Sequence, residues 1–303
     1  MRTHFSRSPT LRSASAVLVS GGHHDNVFKV SSLADGKVLQ TVHHHRAPVV
    51  SLALSEDGNR LACGSADATA SLWSTAATPG SWKENNPSSL FFAGGSRSRA
   101  RLSAVVRGVA GVDASISSAS PLCILHGHHG PVTTIALSGC LGVALSGSRA
   151  SGVLVFELNS GRFVRSLRTP RESPESEVIP CAVGIAHASA SLIVHFTTRR
   201  KGCGLGKESV FLSYSLNGDV LSSCKVRGAL LKPVCITHDG MQVLVISARQ
   251  IEWRRIDDLG CAQTIELSEE DRITAAVCSP DDMCCIAALE SGELMVAIRP
   301  GKH

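Results

Sequence analysis

The 303-residue chain is poor in aromatic and charged side chains, at 4% and 18% of its residues. No apolar run approaches the roughly 18 residues that a membrane-spanning helix needs, so the sequence excludes a span of that kind. No stretch repeats apolar residues every 3.6 positions over three turns, which argues against a helical fold. The net charge of +5 is small and spread along the chain, so it does not indicate nucleic-acid binding. Apolar residues make up 43% of the chain, which is ample for a buried core.

The eleven cysteines include no Cys-x-x-Cys pair of the kind that often binds zinc. Most lie within strand-like apolar runs, as small buried side chains do in a reducing compartment. The N-terminus does not resemble a signal peptide, so we expect a cytoplasmic protein. Residues 1–16 contain Arg2, Arg7 and Arg12 but no acidic residue, which leaves a mitochondrial transit peptide as an alternative. Pro9 and a thin apolar face argue against that alternative, and we expect a disordered segment.

Two segments of the chain, 45–73 and 128–156, share one internal spacing. Each begins with a histidine, reaches a serine twenty residues later, and ends on an aromatic residue eight positions after that serine. The residues that carry this spacing are His45, Ser65 and Trp73 in the first segment and His128, Ser148 and Phe156 in the second. Fixed spacing of this kind is typical of a repeat architecture.

The repeated unit is built from short apolar runs. These runs are four to eight residues long and are separated by Gly, Ser, Asn and Asp, which predicts strands and hairpin turns. Some runs are apolar on both faces, as in 243–246, which is typical of strands buried between packed sheets.

The unit of about 40 residues, with a histidine near its start and an aromatic at its end, resembles the WD repeat of β-propellers. The resemblance implies a buried hydrogen-bonded set made of His45, Ser65, Asp67 and Trp73. In this set Asp67 would hold His45, His45 would hold the Ser65 hydroxyl, and that hydroxyl would accept the Trp73 indole N–H.

The second unit departs from this pattern. It keeps His128 and Ser148, but Ala150 stands where the carboxylate would be and Phe156 replaces the tryptophan. A catalytic role for His45 and Asp67 is the alternative to a structural one, and the spacing favours the structural one.

A longer resemblance begins at residues 20–30, which read Ser-Gly-Gly-His-His-Asp-Asn-Val-Phe-Lys-Val. This segment is similar to the Gly-Gly-His-Trp-Asp-Asn-Ser-Phe-Arg-Val signature in the C-terminal propeller of neurobeachin-like BEACH-domain proteins. His24 replaces the tryptophan of that signature and Lys29 its arginine. Collinear similarity continues to about residue 298. It implies a cytosolic scaffold of vesicle traffic, whose PH-like and BEACH domains are not among these 303 residues.

We therefore expect an all-β WD-repeat propeller over residues 17–298, with about six blade units and an incomplete first and last blade. The first unit has no convincing innermost strand before it, and the last lacks a fourth strand. The fourth strand of the second unit is delayed to the apolar run at 122–125. This predicts part of a seven-bladed ring or a fragmentary gene model. Residues 75–120 read as an irregular insertion, which propellers usually tolerate and which otherwise docks a partner, and 299–303 as a tail.

The expected function is non-catalytic protein–protein interaction, with proteins or peptides as partners, no cofactor, and no nucleic acid. Peripheral membrane association through a full-length protein stays open. One alternative is a substrate receptor of a ubiquitin ligase or another signalling adaptor. A propeller hydrolase would need acidic or histidine residues at the entry of successive innermost strands, where this chain has mostly apolar and hydroxyl residues.

Two further motifs carry weaker signals. The stretch 197–207 resembles a phosphate-binding loop, but its glycine spacing is short by one and Glu208 follows the lysine. We interpret it as a basic hairpin loop that could contact acidic partners or anionic lipid through Arg199, Arg200, Lys201 and Lys207. Runs of histidine at 23–24 and 43–45 do not predict a metal site, because adjacent strand residues point to opposite faces.

Overall fold

The computed structural model describes residues 16–23, 25–32, 35–75, 92–93, 103–107, 120–170, 176–200, 208–226, 235–237, 239–268, 271–279 and 282–299. Within these ranges every regular element is a β-strand, and the strands form six antiparallel sheets. The prediction of an all-β fold with blade-like sheets is therefore confirmed. Among the same residues no helix is long and apolar enough to cross a membrane.

The strands of each sheet mostly follow one another along the chain. Sheet 1 contains β1 (Ala16–Ser20), β2 (Val27–Ser32), β3 (Val38–His43), β7 (Phe92–Ala93) and β8 (Ser103–Arg107). Sheet 2 contains β4 (Val49–Leu54), β5 (Arg60–Ser65), β6 (Ala70–Ser74) and β9 (Cys123–Leu125). Sheet 3 contains β10 (Val132–Ser138), β11 (Val143–Ser148), β12 (Gly152–Glu157) and β13 (Phe163–Ser166).

Sheets 4 to 6 continue the same order. Sheet 4 contains β14 (Ser176–Ala186), β15 (Ser191–Arg200), β16 (Glu208–Ser215) and β17 (Val220–Val226). Sheet 5 contains β18 (Cys235–Ile236), β19 (Gln242–Ile246), β20 (Gln250–Arg255) and β21 (Cys261–Glu266). Sheet 6 contains β22 (Ile273–Cys278), β23 (Cys284–Leu289) and β24 (Leu294–Ile298).

The turn between β4 and β5 shows how local sequence sets a hairpin. Gly58 has a φ of +70°, a conformation that costs glycine little because it has no Cβ. The Asp57 carboxylate accepts the N–H of Asn59 at 3.0 Å, which closes the turn. The chain can therefore reverse here and pair β5 with β4.

The core is divided among five apolar clusters, each between two consecutive sheets. The first joins Phe28 of sheet 1 to Trp73 of sheet 2, and the last joins Trp253 of sheet 5 to Cys285 and Ala287 of sheet 6. Full burial of a large apolar side chain contributes roughly 1.5–3 kcal/mol. Sheets 2 to 5 contribute buried residues on both sides, which is why their strands read as continuous apolar runs.

Two glycines lie where the second strand of one sheet closely approaches the first strand of the next sheet. A Cβ on Gly64 of β5 would lie 2.8 Å from Cγ1 of Val132 in the next sheet. A Cβ on Gly147 of β11 would lie 2.5 Å from Thr134 and 3.4 Å from Pro180 of the sheet after that. This close approach explains why both repeat segments carry Gly-Ser at the end of their second strand.

The predicted insertion at 75–120 contains two short strands among its described residues. Its strand β8 pairs antiparallel with β1 over five residues, from Ala16 opposite Arg107 to Ser20 opposite Ser103. The missing innermost strand of sheet 1 thus comes from later in the chain. Strand β7 pairs with β8 and contacts β22 of sheet 6, while β8 contacts β4. The sequence signal was weak because the strand is only five residues long and lies among Gly, Ser and Arg.

Two other details of strand order agree with the prediction. The fourth strand of sheet 2 is delayed until β9, which pairs with β6. Sheet 6 has three strands among the described residues. Whether a seventh blade completes the ring stays a prediction.

Candidate functional site

The buried polar network of sheet 2 centres on His45, whose side chain is 1% exposed. Its Nδ1 lies 3.0 Å from an Asp67 carboxylate oxygen and its Nε2 lies 2.8 Å from Ser71 Oγ. Trp73 Nε1 donates to the same Ser71 oxygen at 2.8 Å. If Nδ1 carries the proton and donates to Asp67, Nε2 can only accept, so the Ser71 hydroxyl donates to it. The four side chains then form one directed chain from the indole to the carboxylate.

The serine in this chain is a correction to the sequence prediction. The prediction placed the Ser65 hydroxyl between His45 and Trp73, but Ser71 occupies that position. Ser65 Oγ instead donates to the carbonyl of Ala47 at 2.9 Å, and it accepts the N–H of Asp67 at 3.2 Å. Ser65 therefore shapes the turn that presents Asp67. The spacing could not separate the two serines, because they lie on the two buried strands on either side of the turn that holds Asp67.

Asp67 is held as a carboxylate. Burial alone would raise its pKa, but hydrogen bonds outweigh that effect and lower the pKa to about 2. The donors are the Thr69 hydroxyl at 2.6 Å, the N–H of Arg46 at 2.9 Å, the N–H of Thr69 at 3.0 Å, and His45. The charge is thus fully committed to donors from the two loops that flank it.

Trp73 links this network to the neighbouring sheet. Its indole is fully buried, and the Phe28 ring of sheet 1 meets it edge-on with centroids 5.4 Å apart. The His44 ring approaches in the same way at 5.5 Å. Edge-to-face contacts of this kind add to the stability gained from burial. The polar chain and the aromatic cluster therefore fix the relative position of sheets 1 and 2.

The second repeat unit has a shorter version of the network. His128 Nε2 lies 2.7 Å from Ser146 Oγ, whereas its Nδ1 has no hydrogen-bond partner among the described residues. Ala150 holds the backbone position of Asp67, since its N–H donates to Ser148 Oγ at 3.4 Å as the N–H of Asp67 does to Ser65. Ser148 also donates to the carbonyl of Gly130. Burial lowers the pKa of His128 to about 4, so the ring is neutral.

The serine that bonds to the histidine lies on different strands in the two units. Ser71 is on the third strand of sheet 2, and Ser146 is on the second strand of sheet 3. Cys63 and Ser71 are register partners in sheet 2, and Ser146 and Leu154 are the corresponding partners in sheet 3. In sheet 2 the Ser71 hydroxyl on the third strand reaches both His45 and Trp73. Phe156 of sheet 3 needs no acceptor, so the hydroxyl can lie on the second strand and still reach the histidine.

Glu56 connects sheets 2 and 3 at the opposite end of the strands. It extends from the β4–β5 turn and accepts hydrogen bonds from the Ser138 hydroxyl and from the N–H groups of Gly139, at 2.7 Å, and Cys140, at 3.3 Å. Burial would raise the pKa of Glu56, but these donors lower it. The sequence analysis missed this residue, because a glutamate in a turn carries no signal for a contact with the next sheet.

The other predicted residues are placed as follows. Arg199 and Arg200 form the end of β15, but their side chains and residues 201–207 lie outside the described residues. The basic contact loop, with Lys201 and Lys207, therefore stays a prediction. His23 Nε2 lies 3.0 Å from Ser20 Oγ within sheet 1. The described part of the chain contains no cluster of three or more His, Cys, Asp or Glu residues that could hold a metal ion.

The chemistry open to this network is limited by its contacts. A general base needs a free lone pair within reach of a substrate proton. Both ring nitrogens of His45 are occupied, and the ring is buried between two sheets. The arrangement can hold two loops and two strands together, and it presents no nucleophile or base to solvent.

Comparison with known proteins adds three findings. The family model described as the neurobeachin beta propeller domain matches residues 6–299. BEACH domain-containing protein B of Arabidopsis thaliana is 27% identical over 284 residues, which cover 92% of this chain and 9% of that protein. Ribosome biogenesis protein YTM1 of Vanderwaltozyma polyspora is 33% identical over 110 residues, 34% of this chain and 22% of that protein.

Among solved structures, a chain of the mitotic checkpoint complex crystal structure superposes with a TM-score of 0.61 at 13% identity. The match covers 94% of this chain and 72% of that one, and it supports the fold alone. The chain thus spans about a tenth of the length of the BEACH-domain relative.

Proposed function

Since this chain belongs to the family of neurobeachin β-propeller domains, we propose that it acts as a non-catalytic scaffold for protein–protein interaction. Its partners are proteins or peptides. It works as the propeller part of a BEACH-type protein in vesicle traffic. We place it in the cytoplasm, with peripheral membrane association through the full-length protein.

The main support for this proposal is that the buried polar side chains of sheet 2 form hydrogen bonds to one another within the fold. His45, Asp67 and Ser71 have the residue types of a catalytic triad, but each is hydrogen-bonded within the fold and the histidine is buried. The network therefore stabilises the sheets. The turns between the strands are the parts that we propose contact partner proteins. Rigid sheets that present loops are the usual basis of binding by such scaffolds.

A pull-down with the tagged 303-residue chain tests the proposal. The bait is the native chain, and the two controls are an unrelated propeller of similar size and the same chain unfolded by heat. We expect the native chain to enrich vesicle-associated proteins over both controls. Enrichment of chaperones alone would contradict the proposal, since it would report misfolded bait.

A separate measurement tests the non-catalytic part. The chain is assayed against a panel of esters and phosphate esters, with and without divalent metal ions. We expect no turnover above that of a His45→Ala variant. Turnover that the variant abolishes would identify the hydrogen-bonded set as an active site and would overturn the structural interpretation.

A further inference from the structure

Strand β24 is the outermost strand of sheet 6 and has one free edge. It pairs with β23 on one side, and no described strand pairs with it on the other. In sheets 2 to 5 the third strand is instead followed by a fourth, antiparallel strand. The repeat itself therefore shows what covers such an edge, namely another antiparallel strand of similar length.

The composition of β24 differs from that of other outermost strands. The outermost strands with four or more residues in sheets 1, 3, 4 and 5 carry polar or charged residues, such as Gln40, Arg165, Lys225 and Glu266. Strand β24 reads Leu-Met-Val-Ala-Ile and has none. Proteins usually protect a free edge with charge or proline, and an apolar free edge is a template for pairing with another strand.

The two faces of β24 are also unequal. Met295 and Ala297 pack on the cluster shared with sheet 5. Leu294, Val296 and Ile298 point to the opposite face and are 71%, 58% and 68% exposed. Ile286 is the register partner of Val296 and is exposed on the same side. The free edge is thus bordered by an apolar surface.

We propose that two copies of this chain associate by antiparallel pairing of their β24 strands, with Val296 on the twofold axis. The pairing joins the two copies of sheet 6 into one continuous six-stranded sheet. The interface is isologous, because each copy contributes the same segment. It goes beyond the proposed scaffold function, since it concerns self-association and no other partner.

The sequence of this segment is self-complementary in that register. With Val296 opposite its own copy, Leu294 faces Ile298 of the second copy, and the long Met295 faces the small Ala297. Just beyond the strand, Glu293 comes opposite Arg299, so the ends carry opposite charges. Within its own chain Arg299 bonds to Asp239 at 2.8 Å and Gln242 at 2.7 Å, which fixes the position of its charge at the end of the strand. Cross-strand apolar and opposite-charge pairs are the contacts that stabilise antiparallel sheets.

The register makes a charge-exchange test available. In a Val296→Lys dimer two lysines would face each other on the axis, and in a Val296→Glu dimer two glutamates would do so. Like charges directly opposite are destabilising, so each variant alone should be monomeric. A mixture of the two variants places Lys opposite Glu and should restore the dimer. Val38→Lys is the matched control, because Val38 is 56% exposed on the outermost strand of sheet 1.

Molar mass is measured by light scattering on a size-exclusion column at micromolar concentrations, with circular dichroism to establish that each variant is folded. We expect the wild type and Val38→Lys to give twice the monomer mass of 31.8 kDa. Each Val296 variant should give the monomer mass, and their mixture twice that value.

Three outcomes would overturn the proposal. A monomeric wild type would mean that the edge is covered from within the same chain or by a different protein. A dimer that persists in both single Val296 variants would mean that the copies meet through another surface. If the folded variants are monomeric but their mixture stays monomeric, the register centred on Val296 is wrong.

Discussion

Trp73 donates its indole N–H to Ser71 Oγ at 2.8 Å, whereas the equally buried Trp253 has no acceptor for its indole N–H among the described residues. Both lie on the third strand of their sheets, but Trp73 packs against the preceding sheet 1 and Trp253 against the following sheet 6. Two residues before the tryptophan stands Ser71 in sheet 2 but Ile251, which has no hydroxyl, in sheet 5.

This difference predicts unequal effects of the same substitution. Both Trp73→Phe and Trp253→Phe remove part of a buried ring, but only the first also breaks a hydrogen bond. We expect Trp73→Phe to lower the free energy of unfolding by about 1 kcal/mol more than Trp253→Phe does. Urea denaturation of the two variants, followed by circular dichroism, measures the difference. Equal losses would show that the Ser71 contact adds no stability.

A second prediction concerns acid stability and His128. Because its pKa in the fold is about 4, below the ordinary value of 6.5, the unfolded chain binds the proton more readily than the folded one. The stabilising contribution is therefore complete above pH 6.5 and is lost as the pH falls towards 4. A shift of this size corresponds to roughly 3 kcal/mol. Denaturation midpoints measured from pH 4 to pH 8 should fall most steeply across that window.

Restoring the carboxylate should reduce this acid sensitivity. Ala150→Asp places an acceptor beside His128 Nδ1, so we expect about 1 kcal/mol of added stability at pH 7 and a higher histidine pKa. Ala150→Asn is the matched control, because it offers a carbonyl oxygen without the charge. NMR titration of the His128 ring should show a pKa increase for Asp and a smaller one for Asn. No increase for Asp would mean that position 150 does not face the ring.

A third prediction concerns Glu56, which joins sheets 2 and 3. Gly139 and Cys140 donate to different oxygens of Glu56, so Glu56→Gln would turn its NH2 group towards one of these two N–H groups, and we expect a loss of about 1–3 kcal/mol in unfolding free energy. Glu157→Gln is the control, because the Glu157 side chain is 45% exposed, its ion pair with Arg162 is long at 3.8 Å, and Gln keeps an oxygen that can accept the Ser160 hydroxyl. That change should alter stability by less than about 0.5 kcal/mol. Equal effects of the two variants in thermal melts would argue against a structural role for Glu56.

A fourth prediction concerns strand β8. If residues 76–119 are replaced by an Asn-Gly turn, β6 can still pair with β9, but β1 loses its inner partner. We expect a clear fall in melting temperature, instead of the tolerance usual for an inserted loop. Deletion of residues 110–115 alone keeps β7 and β8 and serves as the control. A long deletion that melts like the wild type would show that β8 does not support sheet 1.

The sequence predicted what depends on local patterns. Apolar runs and turn residues predicted the strands and their order, and the resemblance to the WD repeat implied one hydrogen-bonded set with His45, Asp67 and Trp73, which the structure links through Ser71. Even the late fourth strand of sheet 2 followed from its apolar run. These features depend on residues close in the chain or on a repeat that can be compared with itself.

The sequence failed where contacts depend on three-dimensional neighbours. Ser65 and Ser71 lie in similar settings, and only the direction of each side chain decides which one meets His45. Glu56 accepts hydrogen bonds from a different sheet, so the residues next to it in the sequence do not indicate its partners. The bounds of the domains and the basic loop at 199–207 stay predictions.

The pairing of Ala16 with Arg107 has a consequence for how the protein folds. During synthesis, the inner edge of β1 has no partner until β8 has left the ribosome, and β8 follows most of sheet 2 in the chain. Contacts between such distant parts of a chain form slowly, and exposed edges invite aggregation in the meantime. We therefore expect the N-terminal third to depend most on chaperones, and a ribosome-bound chain that stops before residue 103 to be the most sensitive to protease.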